Sequence, residues 1–103
     1  MQIEIETGKV YTFKMNSGEE MIAKVVKAPQ GADYLVLEEP VSVAPGPQGL
    51  GLVPSMFTAD VQQEIRLNTA SIALCARTDD SVCTKYLEAT TGIKLPEKKI
   101  IMG

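Results

Sequence analysis

Residues 10–40 carry an alternation of apolar and polar side chains, cut twice by turn-forming residues, that constrains this chain more than any other stretch. From Val10 to Met15, the side chains of Tyr11, Phe13 and Met15 fall on one face, and Val10, Thr12 and Lys14 on the other. This is the period-two pattern of a strand. Asn16-Ser17-Gly18 follows, and Gly18 supplies the positive φ of a hairpin turn at least steric cost. Met21, Ala23 and Val25 then share a face opposite Ile22, Lys24 and Val26. Pro29 and Gly31 end regular pairing after Lys27. Residues 34–39 read as a third strand with Leu35 and Leu37 inward.

The rest of the chain extends this β plan. Residues 40–51, rich in Pro and Gly, read as the tip of a hairpin with arms at 41–44 and 50–57. Pro54 places the second arm at an edge or a bulge, because it cannot donate to a ladder. Thr58-Ala59-Asp60 turns the chain, and Asp60 is placed to cap a short helical turn. Residues 65–67 and 71–76 read as the last strand pieces, separated by Asn68-Thr69-Ala70, and residues 3–6 as a short edge strand. The period then changes. Asp79 or Thr78 caps a predicted helix over about 79–91, with Gly92 past its end. Val82, Tyr86 and Ala89 form its stripe, flanked by Cys83, Leu87 and Thr90. A basic tail with Lys94, Lys98 and Lys99 occupies 93–103. The 103 residues read as one domain.

Composition narrows the function classes. The net charge of −3 leaves no broad basic surface for indiscriminate phosphate binding, although a local patch or contacts to a few bases remain open. There is no Trp, and Tyr11, Phe13, Tyr34, Phe57 and Tyr86 are the five aromatics. So few large side chains favour extra burial through self-association. With no His and no CxxC pair, no metal site is expected. Cys75 and Cys83 read as reduced thiols, a disulfide closing the loop between them being the alternative. No apolar run is long enough to span a bilayer, and acids near the first residue argue against a signal peptide; both predict a cytoplasmic protein, in a host cytoplasm if it is viral. Catalysis is not expected, and neither is a cofactor. Glu19-Glu20 and Glu38-Glu39 are sequence neighbours that point to opposite faces of a strand, Asp79-Asp80 suit a helix start, and no phosphate loop is present.

The pattern at residues 11–38 resembles the first motif of the Sm and LSm family of small β-barrels. In that motif apolar residues alternate, a Gly makes the turn, and a small residue follows five positions on. An aliphatic stands two further, and a short loop leads to a strand. Tyr11, Phe13, Met15, Gly18, Ala23, Val25 and Leu35-Val36-Leu37-Glu38 take those positions. Residues 67–74 have the spacing of the second motif, with Asn68-Thr69 where the family carries Arg-Gly. Gln30 and Tyr34 likewise stand where the family has Asp and Asn. The divergent sequences that the chain most resembles are Sm-like proteins of marine cyanophages.

The resemblance implies a mainly β fold: an SH3-type, five-stranded, strongly bent antiparallel barrel, here with its helix at the C-terminus. It implies a homo-oligomeric ring of about five to seven subunits closed by strand pairing, with Ser71, Ile72, Ala73, Leu74 and Cys75 at the subunit interface. It further implies a non-enzymatic protein that binds RNA or single-stranded DNA in nucleic-acid processing or chaperoning. Gln30, Tyr34, Asn68 and Thr69 would form the base pocket, without the family's usual uridine-binding residues. Three of them have a plainer reading: Tyr34 as a packed strand residue, and Asn68-Thr69 as a turn bonded to local backbone. The alternative function is a structural or adaptor protein, of a phage for example, whose apolar arm from Leu50 to Phe57 contacts another protein.

Overall fold

The computed structural model describes residues 4–60 and 63–90. Among these residues six strands and a helix follow one another: β1 (Lys9–Met15), β2 (Glu20–Lys27), β3 (Tyr34–Gly46), β4 (Gly49–Pro54), β5 (Ile65–Asn68), β6 (Ile72–Arg77) and α1 (Asp80–Thr90). All pairing is antiparallel, in the order β4-β3-β2-β1-β6, with β5 also on β3. A 3-10 turn, Thr69–Ser71, joins β5 to β6. It links the β3 end of the sheet to the β1 end, because Thr69 N–H donates to Asp33 O and Asn16 N–H to Ser71 O. The result is a small, barrel-like β architecture.

The hairpin of β1 and β2 forms as the alternation requires. Gly18 has φ +98°, Gly18 N–H donates to Met15 O, and the register sets Tyr11 opposite Ala23 and Phe13 opposite Met21. These four pack with Val25, Leu35, Leu37 and Ile72 in the main core. Ala23 is fully buried where the β2–β3 register shifts between Ile22 and Lys24. Across that shift Glu39 and Pro40 stand opposite the single residue Ala23, which is the arrangement of a bulge that bends a sheet. Glu39 accordingly adopts φ +52°.

That bulge corrects the third strand, which does not stop at Glu39 but runs through Pro40 to Gly46. The missing N–H of Pro40 falls where the ladder is already interrupted. The expected hairpin is present, but its second arm ends at Pro54 rather than Phe57, since Pro54 cannot continue the ladder. Six strands replace the expected five because β4 and β5 pair with opposite halves of β3, and the chain leaves the sheet between them. Ser71 lies in the 3-10 turn, so β6 begins at Ile72. The expected edge strand at 3–6 is not formed by Glu4, Ile5 or Glu6, and Ile3 lies outside the described residues. Instead Ile5 packs on the main core, and Glu6 N–H donates to the Tyr11 hydroxyl at 2.9 Å.

Helix α1 covers the opposite face of the sheet. Val10, Ile22 and Tyr86 form a second buried cluster, flanked by Val41, Val43, Leu52, Val82 and Cys83. Ala89 and Leu87, expected on or beside the buried stripe, are exposed. Thr91, Gly92 and the predicted basic tail lie outside the described residues. Cys75 packs on the main core and Cys83 on the second cluster, so the sheet separates them and both thiols are free. Burial pushes the Cys75 thiol up.

Asp79, not Thr78, caps α1. Its Oδ2 accepts from Ser81 Oγ at 2.7 Å and from the N–H groups of Ser81 and Val82. Thr78 instead shares a hydrogen bond with the Thr12 hydroxyl across the sheet. The Ser81 hydroxyl and the two amides hold the Asp79 carboxyl below its ordinary range. A carboxyl lowered by folding stabilises above its unfolded pKa and loses that contribution as the pH falls through its folded pKa. In melts followed by circular dichroism below about pH 4, wild type should therefore lose stability more steeply than Asp79→Asn; equal slopes would remove Asp79 as a pH-dependent cap.

Candidate nucleic-acid interface

Loop 28–33 and the segment 68–70 lie side by side within the chain. Loop 28–33 turns at Gly31, with φ +78°, and Ala32 N–H donates to Pro29 O. Thr69 N–H reaches Asp33 O at 3.0 Å, and Tyr34 pairs in register with Asn68. Between the loop, the 3-10 turn and residues 4–6 lies a cavity of about 880 Å³, lined in part by Gln30, Tyr34, Thr69, Glu4 and Glu6. Three of the four residues singled out from sequence thus share one wall system.

Asn68 is the exception, since it does not line the cavity. Its Oδ1 accepts from Ala70 N–H at 3.0 Å and caps the 3-10 turn. That is the plainer reading of this residue, and the side-chain oxygen is engaged with local backbone. Tyr34 is half-buried, so it is neither a core residue nor a free platform.

Sequence reading missed Arg66. Its guanidinium lies 4.6 Å from the centroid of the Tyr34 ring, within cation–π range. The contact follows from register: Tyr34 pairs with Asn68 and Val36 with Arg66, so Arg66 is the diagonal neighbour of Tyr34 on one face. The signal was present in the period-two spacing of Arg66 and Asn68, but it becomes visible only once β5 is known to pair with β3. Lys27 is also opposite Val36, which puts two cations in one row across β2, β3 and β5. Lys27 Nζ stands 3.6 Å from a Glu64 carboxylate oxygen, both side chains being largely exposed.

The cavity wall has the opposite charge. Glu4 and Glu6 are its charged lining residues, and no Lys or Arg among the described residues lines it. Glu6 is anchored through its backbone to Tyr11, and Ile5 through the core, so the acidic segment belongs to the folded wall.

The five residues assigned to a subunit interface divide by exposure. Ile72 is buried in the core, Ser71 and Cys75 are half-buried, and Ala73 and Leu74 are exposed. Among the described residues β6 pairs only with β1, and β4 and β5 only with β3, leaving an open edge at each end of the sheet. On β4 Leu50 is 75% exposed and Val53 is exposed too, and past its end Phe57 is 84% exposed, with Met56 also exposed.

Among the described residues no group of three or more His, Cys, Asp or Glu side chains could hold a metal ion, and no helix is long and apolar enough to cross a membrane. Comparison with the models of known families and with curated proteins gives no match.

Proposed function

We propose that the chain is a subunit of an Sm-like, non-enzymatic ring that holds RNA or single-stranded DNA, receiving a base in the cavity beside Tyr34. The observation that carries this reading is the meeting of loop 28–33 and the 3-10 turn around one cavity with an aromatic wall. Single-stranded nucleic acid is recognised by stacking unpaired bases on aromatic side chains and by hydrogen bonds to their edges. Tyr34 offers the ring, while Gln30 and Thr69 offer the hydrogen-bonding groups. Arg66 and Lys27 are the cations nearest in register for the phosphates. The open edges of β6 and of β4–β5 suit strand pairing between copies, and repetition around a ring turns several weak contacts into useful avidity.

The chain purified at low salt is expected to carry nucleic acid, seen as a raised ratio of absorbance at 260 to 280 nm that falls after a high-salt wash, because phosphate contacts weaken with salt. A second reading rests on the exposed Leu50, Val53, Met56 and Phe57, a patch of the kind that marks protein contacts. A stable protein partner recovered without nucleic acid would favour that adaptor role and count against the first.

A further inference from the structure

We propose that the cavity selects adenine and cytosine, whose amino groups sit at purine C6 and pyrimidine C4, over uracil, which carries a carbonyl at C4. The inference rests on the base-binding reading above and specifies the ligand of that same site. It comes from the hydrogen-bonding inventory of the wall. Among the described residues, the polar side chains lining the cavity are those of Glu4, Glu6, Gln30, Tyr34 and Thr69. Gln30, Tyr34 and Thr69 can each donate or accept a hydrogen bond, whereas the ionised carboxylates of Glu4 and Glu6 only accept, so acceptors outweigh donors on the wall. Glu4 and Glu6 bring negative charge as well as acceptor oxygens.

Base edges respond differently to such a wall. Adenine presents its N6 amino group and cytosine its N4 amino group, each a donor of two protons, whereas the O4 of uracil is an acceptor like that of thymine. A uracil O4 turned toward the Glu4 and Glu6 carboxylates finds no proton there, the single N3–H is the only donor on the uracil pairing edge, and polar groups left unpaired cost binding energy. An amino group in the same place satisfies two acceptors and meets favourable charge.

The charge also fixes which part of a nucleotide can enter. Phosphate would meet Glu4 and Glu6 with no lining cation among the described residues to offset them. Arg66 and Lys27, which do not line the cavity, stand in a row with Val36 across three strands. The base therefore enters the acidic cavity while the backbone stays outside, toward that row. The wall is built to hold this arrangement, because Ile5 packs into the core between the two acids and Glu6 N–H is bonded to Tyr11.

The test is fluorescence anisotropy of the full chain with labelled RNA hexamers at one fixed salt concentration: oligo(A), oligo(C), oligo(U), and a hexamer of purine nucleotides that differ from adenine only in lacking the 6-amino group. Oligo(A) and oligo(C) should bind roughly tenfold tighter than oligo(U) and the amino-free purine, the scale of one well-made base-edge contact. Glu4→Gln with Glu6→Gln, both at exposed positions, should shrink that preference by weakening oligo(A) relative to oligo(U). If the two acids merely repelled phosphate, all four hexamers would gain equally in that variant, and this outcome would overturn the proposal. Equal binding of all four hexamers that is lost in Tyr34→Ala would overturn the amino preference and leave the base pocket standing. Binding unaffected by Tyr34→Ala, or none at all, would remove the pocket and the preference together.

Discussion

Tyr86→Ala is expected to lower stability by about 3–5 kcal/mol, the range for removing a buried aromatic side chain, and to detach α1 from the sheet. Tyr86 is 1% exposed, the most enclosed large side chain of the helix, and it fills the second cluster between Val10 and Ile22. It also ties the helix to the bulge. Its hydroxyl lies 2.9 Å from Glu39 O and 3.1 Å from Glu38 O, donating chiefly to the nearer carbonyl. Burial, with the charges of Glu39 and Glu38 adding to it, pushes this hydroxyl far above the ordinary phenol range, so it remains a donor. Glu39 holds φ +52° there, a conformation that costs a non-glycine residue energy and persists only when its surroundings enforce it. Tyr86→Phe separates the two roles. It keeps the ring and removes the hydroxyl that donates to these carbonyls, at a cost of about 0.5–1.5 kcal/mol. Urea unfolding of the three proteins measures both values. A phenylalanine variant as unstable as the alanine one would mean that the hydrogen bond dominates, and an alanine variant as stable as wild type would mean that α1 is not docked.

The second large effect is on binding. Tyr34→Ala should weaken RNA binding roughly 5- to 150-fold per site, the equivalent of about 1–3 kcal/mol for one stacked base. Arg66→Ala is the informative companion. Arg66 is exposed and sits over one face of the Tyr34 ring without lining the cavity, so its loss should leave the fold intact. Losing a phosphate contact should flatten the salt dependence of binding while keeping the base preference. If Arg66 instead blocks the ring, Arg66→Ala will bind more tightly than wild type. Measuring affinity at two salt concentrations for both variants separates these effects.

Local features of the fold were legible in the sequence where chemistry and position coincide. Gly18 marks the only kind of residue that takes its φ without strain, and the alternation around Tyr11, Phe13, Ala23 and Val25 assigns the core face. Asp79 marks the start of the helix. What could not be read depends on pairing between distant segments. Pro40 is a strand terminator by local rules, and only the bulge opposite Ala23 lets the strand run through it. The division of β4 from β5 is invisible until both are seen along β3. The candidate site shows the same split. Gln30, Tyr34 and Thr69 were singled out by their positions in the motifs that the chain resembles, and they line one cavity. Arg66 was missed because its contact with Tyr34 needs the β3–β5 register, and the acidic wall was missed because residues 4–6 read as a strand rather than as a segment tucked against Tyr11.

The central claim joins a ring to a base pocket, and native mass spectrometry of the full chain with a short single-stranded RNA tests both at once. The expected spectrum is one closed oligomer retaining RNA in the wild type, and the same oligomer without RNA in Tyr34→Ala. A monomer that carries no RNA in either protein would contradict both the ring and the pocket.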